Sequence, residues 1–281
     1  MAIKMGRNAY GKNAVNISKI IRHASHHEFR QLSVNVVLEG DFDTAHTIGD
    51  NTKILPTDTQ KNSVYALAKE QFTGSAESFG LYLANHFLNT TPAIWQSRIE
   101  MTEYIWTQMN IDGSLHPHAY MGGNSEKHTV IVVQDKNGVQ VTSGIKDMLI
   151  LKTTDSGFEN YIKDKYTTLK ETNDRIFATQ CEVNWIYTTS AINFTDVYTS
   201  IRNTLLKTFA HHKSLSVQHT LYAMGEEVLK QYDIVKEITL KMPNKHHILF
   251  NLEQFGMENK NDIFIATDEP YGYITGTVIR E

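Results

Sequence analysis

The clearest periodic signal in the chain lies between residues 31 and 39. Leu32, Val34, Val36 and Leu38 alternate with Ser33, Asn35 and Glu39 around them. Successive side chains of a strand point to opposite faces, so this period of two predicts a half-buried strand. A looser run over residues 9–24, carrying Val15, Ile17 and Ile20, predicts a long strand antiparallel to it. The period then changes. Pro56-Thr57-Asp58 reads as a helix start, with Val64, Ala66 and Leu67 on later turns. A second helix starts near Ser75 and carries Phe79, Leu83 and Phe87 at i, i+4 and i+8. Strands follow around Ile99, Met101 and Ile105 and from His128 to Gln134, and Asn137-Gly138 predicts a tight hairpin between 130–133 and 139–141.

The second half repeats this plan. An apolar run over 145–152 and a strand with Cys181, Val183, Trp185 and Tyr187 come first. Two helices follow, one carrying Val197, Ile201, Leu205 and Phe209, the other Val217, Leu221, Met224 and Val228. Strands near 235–240, 248–252, 263–266 and 273–279 close the chain. Strand pairs with helix pairs between them predict an α+β protein, antiparallel sheets with helices on one face, built as a tandem duplication with halves 1–140 and 141–281.

Between the two strands of the second half lies a long polar connection, residues 155–175. Phe158, Ile162 and Lys165/Tyr166 at helical spacing predict a short helix in its first half, and 167–174 reads as turns. Long connections on a rigid scaffold tend to carry function. Phe158 offers a flat π-face and Arg175 a planar fork of donors suited to an anionic, oxygen-rich ring. The plainer alternative is a core Phe158 and an Arg175 paired with Asp174 or Glu171.

Composition narrows the function classes. With 281 residues, 41% hydrophobic and 10% aromatic, the chain has ample core and is globular. A net charge of −4, without a basic block, argues against nucleic acid. No apolar run approaches the ~18 residues a membrane span needs, and no signal peptide precedes Tyr10, so a cytoplasmic protein is expected. The single cysteine, Cys181, reads as a small buried hydrophobe and excludes an intrachain disulfide.

The remaining signals are weak singly. Lys12, in Tyr10-Gly11-Lys12, is a base if burial lowers its pKa and an ordinary strand-end lysine otherwise. Thr57 and Asp58 read as N-cap and dipole partner, or as an anion site at a helix start. Ser216-Val217-Gln218 reads as a capped helix start, or as an amide beside free N–H groups matching an imide edge. Among 13 histidines, the groups His116/His118, His211/His212 and His246/His247 lack zinc-site spacing, so no metal is expected. Asn244 and His246, two residues apart, place an amide and an imidazole side by side, suited to holding a water or dioxygen and moving a proton.

Taken together these blocks resemble urate oxidases. The resemblance rests on Tyr10-Gly11-Lys12, the run Pro56 to Asn62, Asp112 to His118, Ser156-Gly157-Phe158, Lys163 to Leu169, Glu171 to Arg175, Ser216-Val217-Gln218, Pro243 to His246 and Asp268 to Gly272, in order along the whole chain. It implies the tunnelling fold (T-fold), with dimers closing a barrel and two barrels stacked in a homotetramer. It further implies urate stacked on Phe158 and gripped by Arg175, Gln218 and the Val217 backbone, with Thr57 and Asp58 reaching in from a neighbouring chain. Lys12, Thr57 and His246 would form the proton relay, and Asn244 would hold dioxygen and then water. No cofactor is implied, and the products would be 5-hydroxyisourate and hydrogen peroxide.

Two departures stand out. The chain ends Val278-Ile279-Arg280-Glu281 instead of in a peroxisomal signal, which fits a bacterial cytoplasmic enzyme, and the resemblance leads one to expect arginine at Asn16. A cyclohydrolase of the same fold would need a Cys/His zinc set, which is missing. A purine-binding protein without catalysis would have no use for Lys12, Thr57 and His246, all present.

Overall fold

In the first unit, residues 1–144 with 186–198, the period-two signal becomes the centre of a sheet. Strand β1 (Tyr10–Arg22) pairs antiparallel with β2 (His27–Gly40), and β2 pairs antiparallel with β3 (Ile94–Tyr104). Beyond β3 lie β6 (Lys127–Asp135) and the first half of β7 (Gly138–Lys152). Leu32, Val34, Val36 and Leu38 are fully buried, as the alternation requires. The computed structural model describes residues 2–122, 125–267 and 269–281.

Two helices cover this sheet, α2 (Thr57–Gln71) against β1 and α3 (Ala76–Thr90) against β3 and β6. Ser75 caps α3, accepting from the Ser78 N–H at 3.1 Å, and Phe79, Leu83 and Phe87 are buried. The cap of α2 differs from expectation. Pro56 occupies the N-cap position and Thr57 is the first helical residue, with no side-chain cap. Its buried stripe is Gln60, Val64 and Ala68, whereas Ala66 faces solvent.

Three further differences appear in this unit. Strand β3 stops at Tyr104, before Ile105. The β6–β7 turn falls on Lys136 and Asn137, one residue early, because Asp135 Oδ1 accepts from both the Asn137 and Gly138 N–H groups. A short helix α1 (Asp43–Thr47) and a hairpin, β4 (Thr107–Ile111) with β5 (Ser114–Met121), were not anticipated. The hairpin turn is Asp112-Gly113, both at positive φ (51° and 84°), as a type I′ turn demands.

The second unit comprises residues 145–185 and 199–281. Its strand order is the second half of β7, then β8 (Phe177–Tyr187), β9 (Val235–Lys241) and β13 (Thr275–Ile279), with β10 (Asn244–Lys245) on β8. Strands β11 (His247–Leu249) and β12 (Phe264–Ala266) form a separate hairpin. Helix α4 (Phe194–His211), from Thr199 onward, and α5 (Val217–Gln231) carry the apolar stripes read from the sequence, and α5 packs on β9 and β13. Ile201, Leu205, Met224, Val228, Ile238 and Leu240 form this core. Cys181 lies within it, and burial pushes its thiol up to about 12, so it is a packing residue. No helix among the described residues is long and apolar enough to cross a membrane.

Residues 155–175 contain no helix. Phe158 and Thr172 instead exchange backbone hydrogen bonds of 2.7 and 3.2 Å, folding the connection back on itself. Ile162 is 97% exposed, so its helical spacing from Phe158 serves no packing.

Candidate active site

The residues singled out above fall into two groups, one in each unit. In the first unit, Lys12 lies on β1 opposite Val36, at the start of an irregular step between Lys12 and Val15. Gly11 precedes it because β2 passes so close that a Cβ there would lie 1.8 Å from the Val36 carbonyl oxygen. Thr57 and Asp58 open α2. Asp58 accepts from Lys61 Nζ at 2.5 Å and Asn62 Nδ2 at 3.0 Å. The Lys61 hydrogen bond and charge hold its carboxyl below the usual range, and the Lys12 ammonium adds to that. Strand β1 and the start of α2 therefore bring Lys12, Thr57 and Asp58 together.

The second group is built around Phe158. Gly157 N–H donates to Ser214 O and Ser214 N–H to Asp155 O, both at 2.8 Å. This bridge ties the Phe158 loop to the residues just before α5, where Ser216 caps the helix by accepting from the His219 N–H at 3.1 Å. Val217, buried, and Gln218, exposed, are the first two residues of α5 and lie among its free N–H groups.

Arg175 sits with its guanidinium carbon 5.3 Å from the Phe158 ring centroid. Burial lowers its pKa from the ordinary value, which marks a guanidinium partly withdrawn from water. Neither acidic neighbour takes it. Asp174 accepts from Thr154 Oγ1 at 3.0 Å, and Glu171 pairs with Lys163 at 2.9 Å. Among the described residues, no hydrogen bond or ion pair holds the Arg175 guanidinium. The plain pairing with Asp174 or Glu171 is thereby excluded, and a planar cation stands partly buried over an aromatic face.

Strand β10 lies along the start of β8, with Asn244 opposite Thr179 and Lys245 opposite Ala178, three residues after Arg175. Asn244 N–H donates to Gly272 O at 3.0 Å, and its Nδ2 lies 3.4 Å from His246 Nδ1. The amide and imidazole are therefore neighbours, and His246 is held by the Thr267 N–H on its carbonyl at 2.9 Å. Asp268, the first residue of the run that ends at Gly272, lies outside the described residues.

Among the described residues, the pairs His116/His118, His211/His212 and His246/His247 gather no third ligand. His116 and His118 meet edge to face at 4.6 Å, and His212 turns its Nδ1 to Thr220 Oγ1 at 3.1 Å. One group of three was missed: His23, His26 and Glu28 at the β1–β2 turn. Its signal was the hairpin register, which sequence spacing alone does not supply.

Antiparallel sheet with helix pairs on one face is the architecture of a tunnelling-fold protein, and here it carries a guanidinium over an aromatic ring beside a helix start. The chain is 40% identical over 279 residues to a uricase of Arthrobacter globiformis, covering 99% of this chain and 91% of that protein. It is 36% identical to a uricase of Dictyostelium discoideum, covering 97% and 96%. The crystal structure of the Arthrobacter globiformis uricase superposes with a TM-score of 0.95 at 40% identity, covering 100% of this chain and 96% of that one. The family model described as uricase matches residues 8–133 and 141–275, and the chain belongs to the uricase family.

Proposed function

We propose that this urate oxidase uses dioxygen and no cofactor, converting urate, O2 and water to 5-hydroxyisourate and hydrogen peroxide. Urate gives up two electrons and O2 takes them with two protons, while water supplies the new hydroxyl at C5. Urate is an electron-rich anion, so the protein need only bind it, draw off a proton and hold the reactants in place.

In this reading Phe158 stacks on the purine, and Arg175 and Gln218 with the Val217 N–H grip its pyrimidine edge. Lys12 with Thr57 accepts the proton, His246 carries it onward, and Asn244 holds first O2 and then the attacking water over the ring. Thr57 and Asp58 act on the urate held by another copy of the chain. The halves 1–140 and 141–281 serve as two tunnelling-fold repeats, and four copies stack as two barrels in a homotetramer.

What supports this reading is the half-buried Arg175 guanidinium over Phe158, which has no anionic partner among the described residues. A desolvated cation of this kind awaits an anion, and its planar fork suits the edge of a flat oxyanion. The test is oxygen uptake and peroxide release by chelator-treated enzyme on adding urate, followed with loss of the urate ultraviolet band. One O2 consumed and one peroxide released per urate is the expected result. Uptake that requires added metal, or urate loss without peroxide, overturns the proposal.

A further inference from the structure

The tip of the β1–β2 hairpin gathers chemistry that urate oxidation does not use. His23 N–H donates to His26 O at 2.9 Å, closing the turn, and the strand register pairs Arg22 with His27 and Ile21 with Glu28. His23 and His26 are thus directly opposite each other, and Glu28 lies two residues on from His26, so all three share one face of the hairpin. The two imidazoles stack with centroids 4.6 Å apart, and His23 Nε2 lies 2.6 Å from Glu28 Oε1. One ligand atom from each residue lies within 4.8 Å of the other two, the one such group of three among the described residues. Ser25 Oγ stands 3.2 Å from His26 Nδ1, an outer contact that steadies the ring. An open cavity of ≈ 420 Å³ borders the cluster, lined by His26 and Glu28 with Phe29, Trp106 and Tyr120.

We propose that this tip is a binding site for a divalent transition-metal ion, zinc in particular, ligated by His23, His26 and Glu28 with water in the fourth position. Two imidazoles and a carboxylate are the donor set of open zinc sites and disfavour calcium and magnesium, which take oxygen ligands. Donors of a tetrahedral zinc site stand about 3.3 Å apart, from zinc–nitrogen bonds of ~2.0–2.1 Å. Small rotamer changes of three exposed side chains close the remaining gap, while the paired backbone holds their Cβ atoms in place. His27 belongs to the other face, where it meets His118 at 6.0 Å, so the His116/His118 pair does not contribute. Lys12 lies eleven residues along β1 from His23. At the rise of a strand that is on the order of 35 Å, so the site is separate from the proposed proton relay.

The experiment is titration of the chelator-treated full-length protein with zinc sulfate, read by calorimetry and by the thermal midpoint. One zinc per chain is expected, with a rise in midpoint, because the ion ties both strands across the turn. A double variant His23→Ala/His26→Ala should weaken zinc about a hundredfold or abolish it, and Glu28→Gln about tenfold. Both should keep the metal-free midpoint and the urate turnover of the parent. His116→Ala/His118→Ala should bind zinc as the parent does. Absence of stoichiometric zinc, or zinc binding that survives in His23→Ala/His26→Ala, overturns the proposal.

Discussion

The Tyr10 hydroxyl accepts a hydrogen bond from the Leu55 N–H at 2.9 Å. On the other side, Gln60 Nε2 donates to the Leu55 carbonyl at 3.1 Å, and Gln60 is itself fully buried. The residue just ahead of Pro56-Thr57 is therefore held by the strand that carries Lys12 and by the helix that carries Thr57 and Asp58. Phe42 meets the Tyr10 ring edge-on at 4.8 Å and fixes it.

Tyr10→Phe keeps the ring and removes only the acceptor, leaving a partly buried N–H unpaired at about 1–3 kcal/mol. The prediction is a turnover lower by about tenfold with urate affinity nearly unchanged, since Tyr10 holds the elements that carry the proposed relay and is not among the residues proposed to grip the ring. Steady-state kinetics with a separate binding measurement checks it. A parent-like turnover would show that the contact is structural only.

Gly11→Ala meets backbone at 1.8 Å, which no rotamer relieves. Strands β1 and β2 must part beside Lys12, and overpacking of this kind costs roughly 1–3 kcal/mol. A lower denaturation midpoint and a loss of turnover larger than that of Tyr10→Phe are expected.

Arg175 makes no internal ion pair among the described residues, so its loss should cost ligand and not stability. Arg175→Ala is expected to weaken urate roughly tenfold to a hundredfold, about 1.5–3 kcal/mol for hydrogen bonds to a charged group, with little change in thermal midpoint. A midpoint drop equal to the loss of binding would point to a packing role instead.

The first unit also buries a charged chain. His128 Nε2 lies 2.9 Å from Glu77 Oε1 and its Nδ1 3.3 Å from Glu103 Oε2, with Arg30 on the far side of Glu103 and Ser143 Oγ 2.5 Å from Glu77. Burial pushes His128 down, but the hydrogen bonds to Glu103 and Glu77 prevail and hold it up at about 9. Burial pushes Glu103 up, but the bonds from His128 and Arg30 hold it down at about 2. A raised histidine stabilises fully below its unfolded value of ~6.5 and loses that contribution as pH rises through about 9. A depressed glutamate stabilises above ~4.3 and loses that contribution as pH falls toward about 2. Urea midpoints should therefore fall above neutrality and below pH ~4 relative to the plateau between. His128→Ala, which leaves two buried carboxylates facing each other, should cost roughly 3–5 kcal/mol and remove the alkaline limb.

Ser216→Ala should cost about 1 kcal/mol by removing the cap on α5, and it should loosen Gln218, the second residue of the helix. A modest rise in the KM for urate alongside a lower thermal midpoint checks both parts.

Legibility followed burial. Where a side chain buries on a regular element its period is written into the sequence, and Leu32 to Leu38, Phe79-Leu83-Phe87 and Val217 to Val228 are buried as read. Residues 155–175 show the opposite case. Phe158 and Ile162 are four apart, yet Asp164 accepts from the Tyr166 N–H at 2.9 Å and Tyr161 Oη donates to Leu169 O at 2.6 Å, so local side-chain bonds replace a helix there. Asp112-Gly113 carries a hairpin signal as strong as Asn137-Gly138, and it closes the β4–β5 hairpin at positive φ.

The α+β plan and the core stripes were legible in the chain, because periodicity and residue type are local properties. Tertiary structure alone decided which residues of the candidate site meet. The Ser214 bridge brings Phe158 to the start of α5, β10 pairing brings Asn244 beside the start of β8, and Tyr10 ties the end of β1 that carries Lys12 to Leu55, just ahead of Pro56-Thr57. It also decided that Arg175 keeps no acidic partner among the described residues and that His23, His26 and Glu28 share a face. Contacts between residues far apart in the chain, and the competition among several acceptors for one donor, are settled only when the backbone closes in three dimensions.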